Sequence, residues 1–304
     1  MDRRSAPGQP GSRPRQARRR GLQALRPVAA RSGLPLPAPG GAREGQEVTD
    51  AHGRLVREQF GPTAQAYVAS AGHRGGDDLE RLLAWGRALR PARVLDVATG
   101  GGHTALAFAA VARRVVACDL TEPMLRAARG FLRDRGVDGA AFVAGDVERL
   151  PFRDAAFPVV TCRIAPHHFA DPAAAVREIA RVLGPGGSFL VQDILGHDEA
   201  DVAAFITEVE RRRDPSHVRA YRAREWKAML KGAGLTVIDE DVVSKVRAWD
   251  DWTGRMRMTP EARAALEAFV RAAPERHRRA FDFRLTADGV ESFTDRMILL
   301  RADK

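Results

Sequence analysis

The sequence predicts an α/β fold: a doubly wound, mostly parallel sheet with helical insertions near the C-terminus. Short apolar runs, as at 93–97 and 115–118, alternate with amphipathic stretches of helical period. Such alternation is typical of βαβ units, whose crossovers place successive strands parallel to one another. Glycines follow the first run directly, at 100–102, where sheets of this kind bind their ligands.

The individual elements follow from apolar periodicity and from residues that commonly cap helices. Strands are predicted over 93–97, 115–118, 141–144, 159–162, 188–192, 235–243 and 292–301, which makes a seven-stranded sheet. Helices are predicted over 77–89, 103–112 and 224–232, and after residues 121 and 171. Asp77, Thr121 and Asp171 are the predicted N-caps, and 184–187 is a predicted turn.

Charge and composition divide the chain into an extension and one domain. Residues 1–45 are rich in Arg, Pro and Gly and are predicted to be disordered; 46–304 are the predicted domain, with a core over 58–195. Two helical insertions are predicted within it, at about 197–220 and 248–282. Most of the net charge of +10 lies in residues 1–43, which hold ten arginines and one acid. A nucleic-acid acceptor is therefore disfavoured, except for non-specific contact through the basic extension.

Cysteine usage and the length of apolar runs indicate the compartment. The two cysteines, Cys118 and Cys162, lie in apolar runs and cannot form a disulfide framework. No stretch of the sequence approaches the roughly 20 apolar residues that a membrane helix needs. No Cys or His cluster has metal-ligand spacing, so no metal is predicted. A reducing, cytoplasmic location is expected.

Acidic residues occur at the ends of three successive predicted strands. The first strand contains Asp96 and runs into the glycine turn 98–102. Asp119 follows the second strand, where a carboxylate can accept both hydroxyls of a ribose, and Asp146 follows the third, where it can accept from an adenine amine. The carboxyl ends of parallel strands meet at one edge, so these groups are expected to share a nucleoside site. The glycine turn also fits a dinucleotide site, which leaves an NAD(P)-dependent oxidoreductase as an alternative.

These residues resemble the class I S-adenosylmethionine-dependent methyltransferase family, in its ubiquinone/menaquinone-biosynthesis-like (Methyltransferase type 11) branch. The matching segments are 96–102, 116–124 and 145–152. The resemblance implies a Rossmann-like methyltransferase fold, S-adenosyl-L-methionine as cofactor and a small-molecule acceptor. The chain departs from the family pattern at Ala98, where the family usually places a glycine, because alanine resists positive φ.

The resemblance also implies roles for single residues. Gly100 and Gly102 are expected to face the methionine part of the cofactor, Asp119 the ribose, and Asp146 with Val147 the adenine. Arg163, after the fourth strand, is expected near the cofactor through its backbone. The full set assigned to the cofactor site is Tyr67, Asp96, Ala98, Gly100, Gly102, Asp119, Leu120, Met124, Asp146, Val147 and Arg163.

Methyl transfer needs few catalytic side chains, because a sulfonium methyl group is already electrophilic. Holding the acceptor and the methyl group in the right geometry supplies most of the rate. A base is needed only for an acceptor that arrives protonated. His167 and His168 are the candidates, since an imidazole pKa of about 6.5 suits proton removal near neutrality. The alternatives are that both histidines only shape the pocket, or that the protein binds the cofactor without turnover. Trp249 and Trp252 are predicted either to line the acceptor pocket or to pack between an insertion and the sheet.

Overall fold

The structure is a computed structural model that describes residues 51–304, so the predicted extension 1–45 lies outside the described residues. The strands are β1 (Arg93–Val97), β2 (Arg114–Asp119), β3 (Ala141–Ala144), β4 (Phe157–Arg163), β5 (Leu183–Ile194), β6 (Thr236–Ala248), β7 (Arg284–Leu285) and β8 (Val290–Asp303). The helices are α1 (Ala51–Phe60), α2 (Ala64–Ala69), α3 (Ala71–Arg74), α4 (Asp77–Leu89), α5 (His103–Phe108), α6 (Glu122–Arg133), α7 (Pro172–Val182), α8 (Ala200–Arg213), α9 (Ala223–Gly232), α10 (Trp249–Gly254), α11 (Pro260–Ala272) and α12 (Glu275–Ala280).

The sheet has the strand order β3-β2-β1-β4-β5-β8-β6. The first five strands of this order are parallel, and β8 runs antiparallel to both β5 and β6. This arrangement confirms the predicted doubly wound, mostly parallel seven-stranded sheet, to which the two-residue β7 adds a short pairing with β8. The strand order reverses between β1 and β4, which is the position where such sheets bind ligands.

Several predicted boundaries differ from the observed ones. The predicted turn 184–187 belongs to β5, because Leu183 already pairs with Phe157 of β4. The predicted helix 103–112 ends at Phe108. The chain continues in turns, one of which is closed by a hydrogen bond from Val111 N to the Phe108 carbonyl at 3.0 Å.

The predicted caps have three different outcomes. Asp171 caps α7 by accepting a hydrogen bond from Ala174 N at 2.9 Å. Thr121 stands at the N-cap position of α6, but its hydroxyl makes no capping bond within the described chain. Asp77 is the first residue of α4, and Gly76 takes the cap position because its φ of 131° lies where only glycine is unstrained.

Alternate residues of the central strands pack against helices on opposite faces of the sheet. Leu95 of β1 is buried in a cluster with residues of α7 and α9, whereas its neighbour Val94 is buried in a cluster with residues of α4, α5 and α6. This period of two is what a strand covered on both faces requires.

The predicted insertions form a separate small core beside the sheet. Helices α8, α10 and α11 pack with β8 around Trp249, Trp252, Leu266 and Phe293. Both insertions are helical, as predicted, although α8 ends at Arg213 rather than continuing to residue 220. Among residues 51–304, no helix has the length and apolar content needed to cross a membrane.

Candidate active site

A cleft of about 1400 Å³, its open mouth included, lies at the carboxyl ends of β1, β2, β3 and β4. Helices α1 and α2 line one side of it, and residues of α8, β6 and α10 line another. The cleft is thus bounded both by the strand ends, where sheets of this kind bind their ligands, and by the surrounding helices.

The glycine turn after β1 forms part of the floor of the cleft. Gly100 has a φ of 52°, and a Cβ added there would have no described protein atom within 4 Å. That position therefore opens into the cleft, and the missing side chain lets a ligand approach the backbone. Ala98 also adopts a positive φ, of 50°, which costs an alanine roughly 1–2 kcal/mol.

Two residues assigned to the cofactor site by sequence do not line the cleft. A Cβ on Gly102 would lie 2.9 Å from the Cβ of Ala128, so Gly102 permits close packing of the turn against α6. Asp96 is 1% exposed and accepts hydrogen bonds from the hydroxyls of Thr99 and Thr161, at 2.6 and 2.7 Å. Burial raises the pKa of Asp96 to about 6. Asp96 thus stabilises the turn through buried hydrogen bonds and does not line the cleft.

Asp119 holds the turn and faces the cleft at the same time. Its Oδ2 accepts a hydrogen bond from Gly100 N and its Oδ1 one from Thr121 N, both at 2.8 Å. Burial raises the pKa of the Asp119 carboxyl, and the two N–H donors oppose that rise. Each carboxylate oxygen has a second acceptor position, so the group fits the hydroxyls of a bound ribose.

The segment after β3 forms the next wall of the cleft. Asp146 lines the cleft, and its Oδ1 accepts a hydrogen bond from Glu148 N at 2.9 Å. A Cβ on Gly145 would lie 2.8 Å from Pro151, so only glycine fits before this acid. Leu120, Met124 and Val147 add apolar surface to the same region. Polar acceptors beside apolar surface suit an adenine ring.

Helices α1 and α2 cover the cleft with aromatic side chains. The ring of Phe60 packs edge-on against the ring of Tyr67, with centroids 5.4 Å apart. The Tyr67 hydroxyl donates to the sulfur of Met256 at 3.4 Å, and burial raises its pKa. A Cβ on Gly101 would lie 3.0 Å from the backbone of Tyr67, so the glycine turn packs directly beneath this cover.

Arg163 lines the cleft at the end of β4, where its side chain takes part in a buried ion pair. Its Nη2 lies 2.6 Å from Oδ2 of Asp78, and Lys245 Nζ lies 3.1 Å from the same oxygen. Burial would raise the pKa of Asp78, but Arg163 and Lys245 together lower it. The triad ties α4 to β4 and β6, which the sequence did not indicate.

His167 and His168 both line the cleft, but their environments differ. Nδ1 of His167 donates to Oδ1 of Asp193 at 2.6 Å. Burial would lower the pKa of His167, but the carboxylate of Asp193 outweighs burial and raises it. Burial lowers the pKa of His168 to about 3, assisted by His167. His167 is hydrogen-bonded to a buried carboxylate, as a general base in a histidine–carboxylate pair would be, whereas Nε2 of His168 lies 3.8 Å from the buried carboxylate of Asp214, too far for a hydrogen bond.

The two predicted tryptophans have different positions. Trp252 lines the cleft, whereas Trp249 is fully buried in the insertion core with Phe293. Other residues that line the cleft were not indicated by the sequence. They belong to the start of the domain, to the insertions or to β6, and among them are His52, Phe60, Glu210, Arg213, Arg247 and Arg255. No local motif marks them, because tertiary packing alone brings them to the cleft. Within the described range, no cluster of three or more potential metal ligands occurs.

Comparisons with known proteins bear on this site. Residues 95–191 match the family of the methyltransferase domain. The uncharacterized methyltransferase YcgJ of Bacillus subtilis strain 168 is 33% identical over 246 residues, covering 81% of this chain and 97% of the relative. The crystal structure of BH2331 from Bacillus halodurans C-125, assigned as a methyltransferase, has a TM-score of 0.72 at 40% identity and covers 75% of this chain and 99% of that chain. The demethylmenaquinone methyltransferase of Thermus thermophilus is 39% identical over 130 residues, 38% of this chain and 59% of the relative.

The fold and these similarities define the class of the protein as a methyltransferase. The chain belongs to the S-adenosylmethionine-dependent methyltransferase family, in the branch that includes ubiquinone/menaquinone-type enzymes. Its cofactor is S-adenosylmethionine, and its reaction is methyl transfer. The comparisons give no support to an NAD(P)-dependent oxidoreductase.

Proposed function

We propose that the chain methylates a small-molecule acceptor, a reaction of class EC 2.1.1, with His167 as general base. The observation that carries this proposal is the hydrogen bond between His167 and Asp193 at the wall of the cleft. The proposed acceptor lies between the glycine turn and the helical insertions. Nucleic acid is not the proposed acceptor, because outside residues 1–43 the chain is nearly neutral.

The cofactor is proposed to bind along the ends of β1, β2 and β3. Bound S-adenosylmethionine supplies an electrophilic methyl group. Asp119 accepts the ribose hydroxyls, Asp146 with Val147 contacts the adenine, and the backbone at Gly100 lies along the methionine part. Tyr67 and Met124 close over it from the side. The support for these placements is that all of these residues line one cleft.

Above its raised pKa, where the ring is neutral, His167 is proposed to remove a proton from the acceptor at Nε2. Among the side chains that the structure describes, this nitrogen has no hydrogen-bond partner, whereas Nδ1 is held by Asp193. Asp193 is a positioning residue: it orients the ring and stabilises the imidazolium that forms. General-base catalysis of this kind contributes roughly 10²–10⁴ in rate. His168, with its pKa lowered to about 3, stays neutral and shapes the pocket.

The helical insertions are proposed to act as a lid of the single domain 46–304. Trp252 of α10 and Glu210 of α8 line the cleft, so these helices can exclude water from it. A cytoplasmic location is proposed because Cys118 and Cys162 are unpaired, buried thiols.

Release of S-adenosylhomocysteine tests the proposal. The wild-type protein is incubated with S-adenosylmethionine and a fractionated metabolite extract, and product release is measured. We expect release by the wild type, and a loss of about a hundredfold or more in His167→Gln. His197→Gln, a histidine outside the cleft, is the matched control and should retain the wild-type rate.

Two outcomes would contradict parts of the proposal. Full activity of His167→Gln would leave positioning alone as the mechanism. Tight cofactor binding with no release in any fraction would favour a protein that binds the cofactor without turnover.

A further inference from the structure

The charged side chains that line the cleft are unevenly distributed, with Glu210 as an acid on the side where guanidinium groups predominate. Acids line it where β2 and β3 end: Asp119, Asp146 and Glu148. Guanidinium groups line it where α8, β6 and α10 meet: Arg213, Arg247 and Arg255, here called the arginine wall. The strand order places β2 and β3 on one side of β1, and β5, β8 and β6 on the other. The arginine wall is therefore separate from the region that fits adenosine.

The members of the arginine wall lie close together and are buried. The Nη1 atoms of Arg247 and Arg255 lie 4.0 and 3.8 Å from the Cβ position of Gly72. Burial lowers the pKa of Arg255, and the charge of Arg213 lowers it further. The side chains of the wall are only 7–8% exposed. Both Nη1 atoms lie within 4.0 Å of one point, so the two buried guanidinium groups are near enough to repel one another, and an anion between them would stabilise the arrangement.

Neighbouring acids compensate the positive charges of Arg247 and Arg255 to different extents. Asp295 Oδ2 lies 2.7 Å from Nε of Arg247, and both side chains are buried, so that pair is balanced. Arg255 pairs with Asp251, which is 55% exposed and lies toward solvent. Nε of Arg255 is buried and has no hydrogen-bond partner within the described chain. A buried N–H donor without a partner is a ready contact for a ligand oxygen.

Arg213 is also compensated only in part. Its Nε donates to the backbone oxygen of Trp252 at 2.9 Å, and its guanidinium lies over the Trp252 ring at 4.6 Å. The nearest acid is Glu210, whose Oε2 is 3.7 Å from Nη1 of Arg213, too far for a hydrogen bond. Burial raises the pKa of Glu210, which disfavours its charged form.

We propose that the arginine wall binds an anionic oxygen group, a carboxylate or a phosphate, carried by the methyl acceptor. Arg213 and Arg255 are the specificity-determining residues, because the planar fork of arginine matches both groups. This inference rests on the proposed function and names the substrate class of the same cleft. The carboxylate in the methionine part of the cofactor is another source of the same chemistry, which the experiment must distinguish.

The experiment uses protein saturated with S-adenosylhomocysteine, so that the cofactor side is filled. Matched probes are titrated by calorimetry: benzoate, hexanoate, indole-3-acetate and phenyl phosphate, beside benzamide, hexanamide, indole-3-acetamide and phenol. We expect at least one anion to bind about tenfold or more tighter than its neutral partner. Arg255→Gln and Arg213→Gln should each remove that preference. Arg257→Gln, an arginine two positions further on and outside the cleft, is the matched control and should retain it.

The cofactor carboxylate is tested with the same variants. Affinities for S-adenosylhomocysteine and for 5′-methylthioadenosine, which lacks the carboxylate, are measured in Arg213→Gln, Arg255→Gln and the wild type. We expect both affinities to stay within about twofold of wild type. If only the affinity for S-adenosylhomocysteine falls, the wall belongs to the cofactor and the proposal is wrong.

Other outcomes also overturn the proposal. It fails if no anion of the panel binds more tightly than its neutral partner, or if the preference survives in both variants. Failure of the wild type to bind S-adenosylhomocysteine would instead contradict the proposed function itself. Binding of S-adenosylhomocysteine without anion preference contradicts only the arginine wall. Unfolding midpoints of each variant show whether a loss of binding reflects a loss of folding.

Discussion

The buried pair of His167 and Asp193 predicts a specific dependence of stability on pH. The two side chains are 7% and 0% exposed, and the hydrogen bond between them is 2.6 Å long. Because the folded-state pKa of His167 is raised, the folded protein binds a proton that the unfolded chain releases more readily. Its stabilising contribution is therefore complete below the unfolded pKa of about 6.5, and it is lost as pH rises through the raised pKa.

The variant that tests this is His167→Gln, measured by urea denaturation at about pH 5.5, 7 and 8.5 with tryptophan fluorescence. Breaking a buried ion pair lowers the free energy of unfolding by about 3–5 kcal/mol. Because the glutamine amide can still donate to Asp193, we expect the free energy of unfolding to fall by about 3 kcal/mol at the lowest pH. For a domain of this size the loss lowers the melting temperature by roughly 6–12 °C. The difference from wild type should shrink toward pH 8.5.

His168→Gln is the matched control, with the opposite sign. Burial lowers the pKa of His168 to about 3, so on acidification the unfolded chain takes up a proton that the folded protein does not. His168 therefore costs stability as pH falls below about 6.5, and its replacement should make the protein less sensitive to acid. A difference between wild type and His167→Gln that is constant, or that grows with pH, would refute the assignment of the ion pair.

Two further predictions concern the glycine turn. Asp119→Ala should weaken binding of S-adenosylhomocysteine by about 10- to 150-fold, the equivalent of about 1.5–3 kcal/mol for hydrogen bonds to a charged group. Asp119→Asn should weaken binding nearly as much, because both carboxylate oxygens accept backbone N–H groups and an amide can accept with only one atom. An unchanged calorimetric affinity in either variant would show that Asp119 is not part of the site. Ala98→Gly should raise the melting temperature by roughly 1–4 °C by relieving a positive φ, net of the flexibility that glycine adds to the unfolded chain. A lowered melting temperature would show that the Ala98 methyl group contributes more by packing than its backbone conformation costs.

The fold could be predicted from sequence because its signals are local. Each strand is a short apolar run followed by a helical period, and chain connectivity restricts how such units assemble. Asp119 and Asp146 could be assigned to one cleft for the same reason, since both lie at the carboxyl ends of parallel strands. The residues that brace the site were harder to assign. Asp96 and Gly102 lie in the same motif as Gly100, and only the packing of the turn on Thr161 and α6 distinguishes them.

The acceptor side of the cleft could not be predicted. Arg213, Arg247 and Arg255 come from three segments whose sequences carry no shared motif, and they converge only because β8 lies between β5 and β6. The partner of His167 was also missed. Asp193 lies within the buried strand β5, and its pairing with a residue beyond β4 depends on the parallel register of those two strands.

The most direct test of the central claim is a calorimetric titration of the wild-type protein with S-adenosylhomocysteine and, separately, with NAD. The cleft at the ends of β1, β2 and β3 predicts saturation by one S-adenosylhomocysteine per chain and no heat of binding for NAD. Saturation by NAD, with no binding of S-adenosylhomocysteine, would contradict the account.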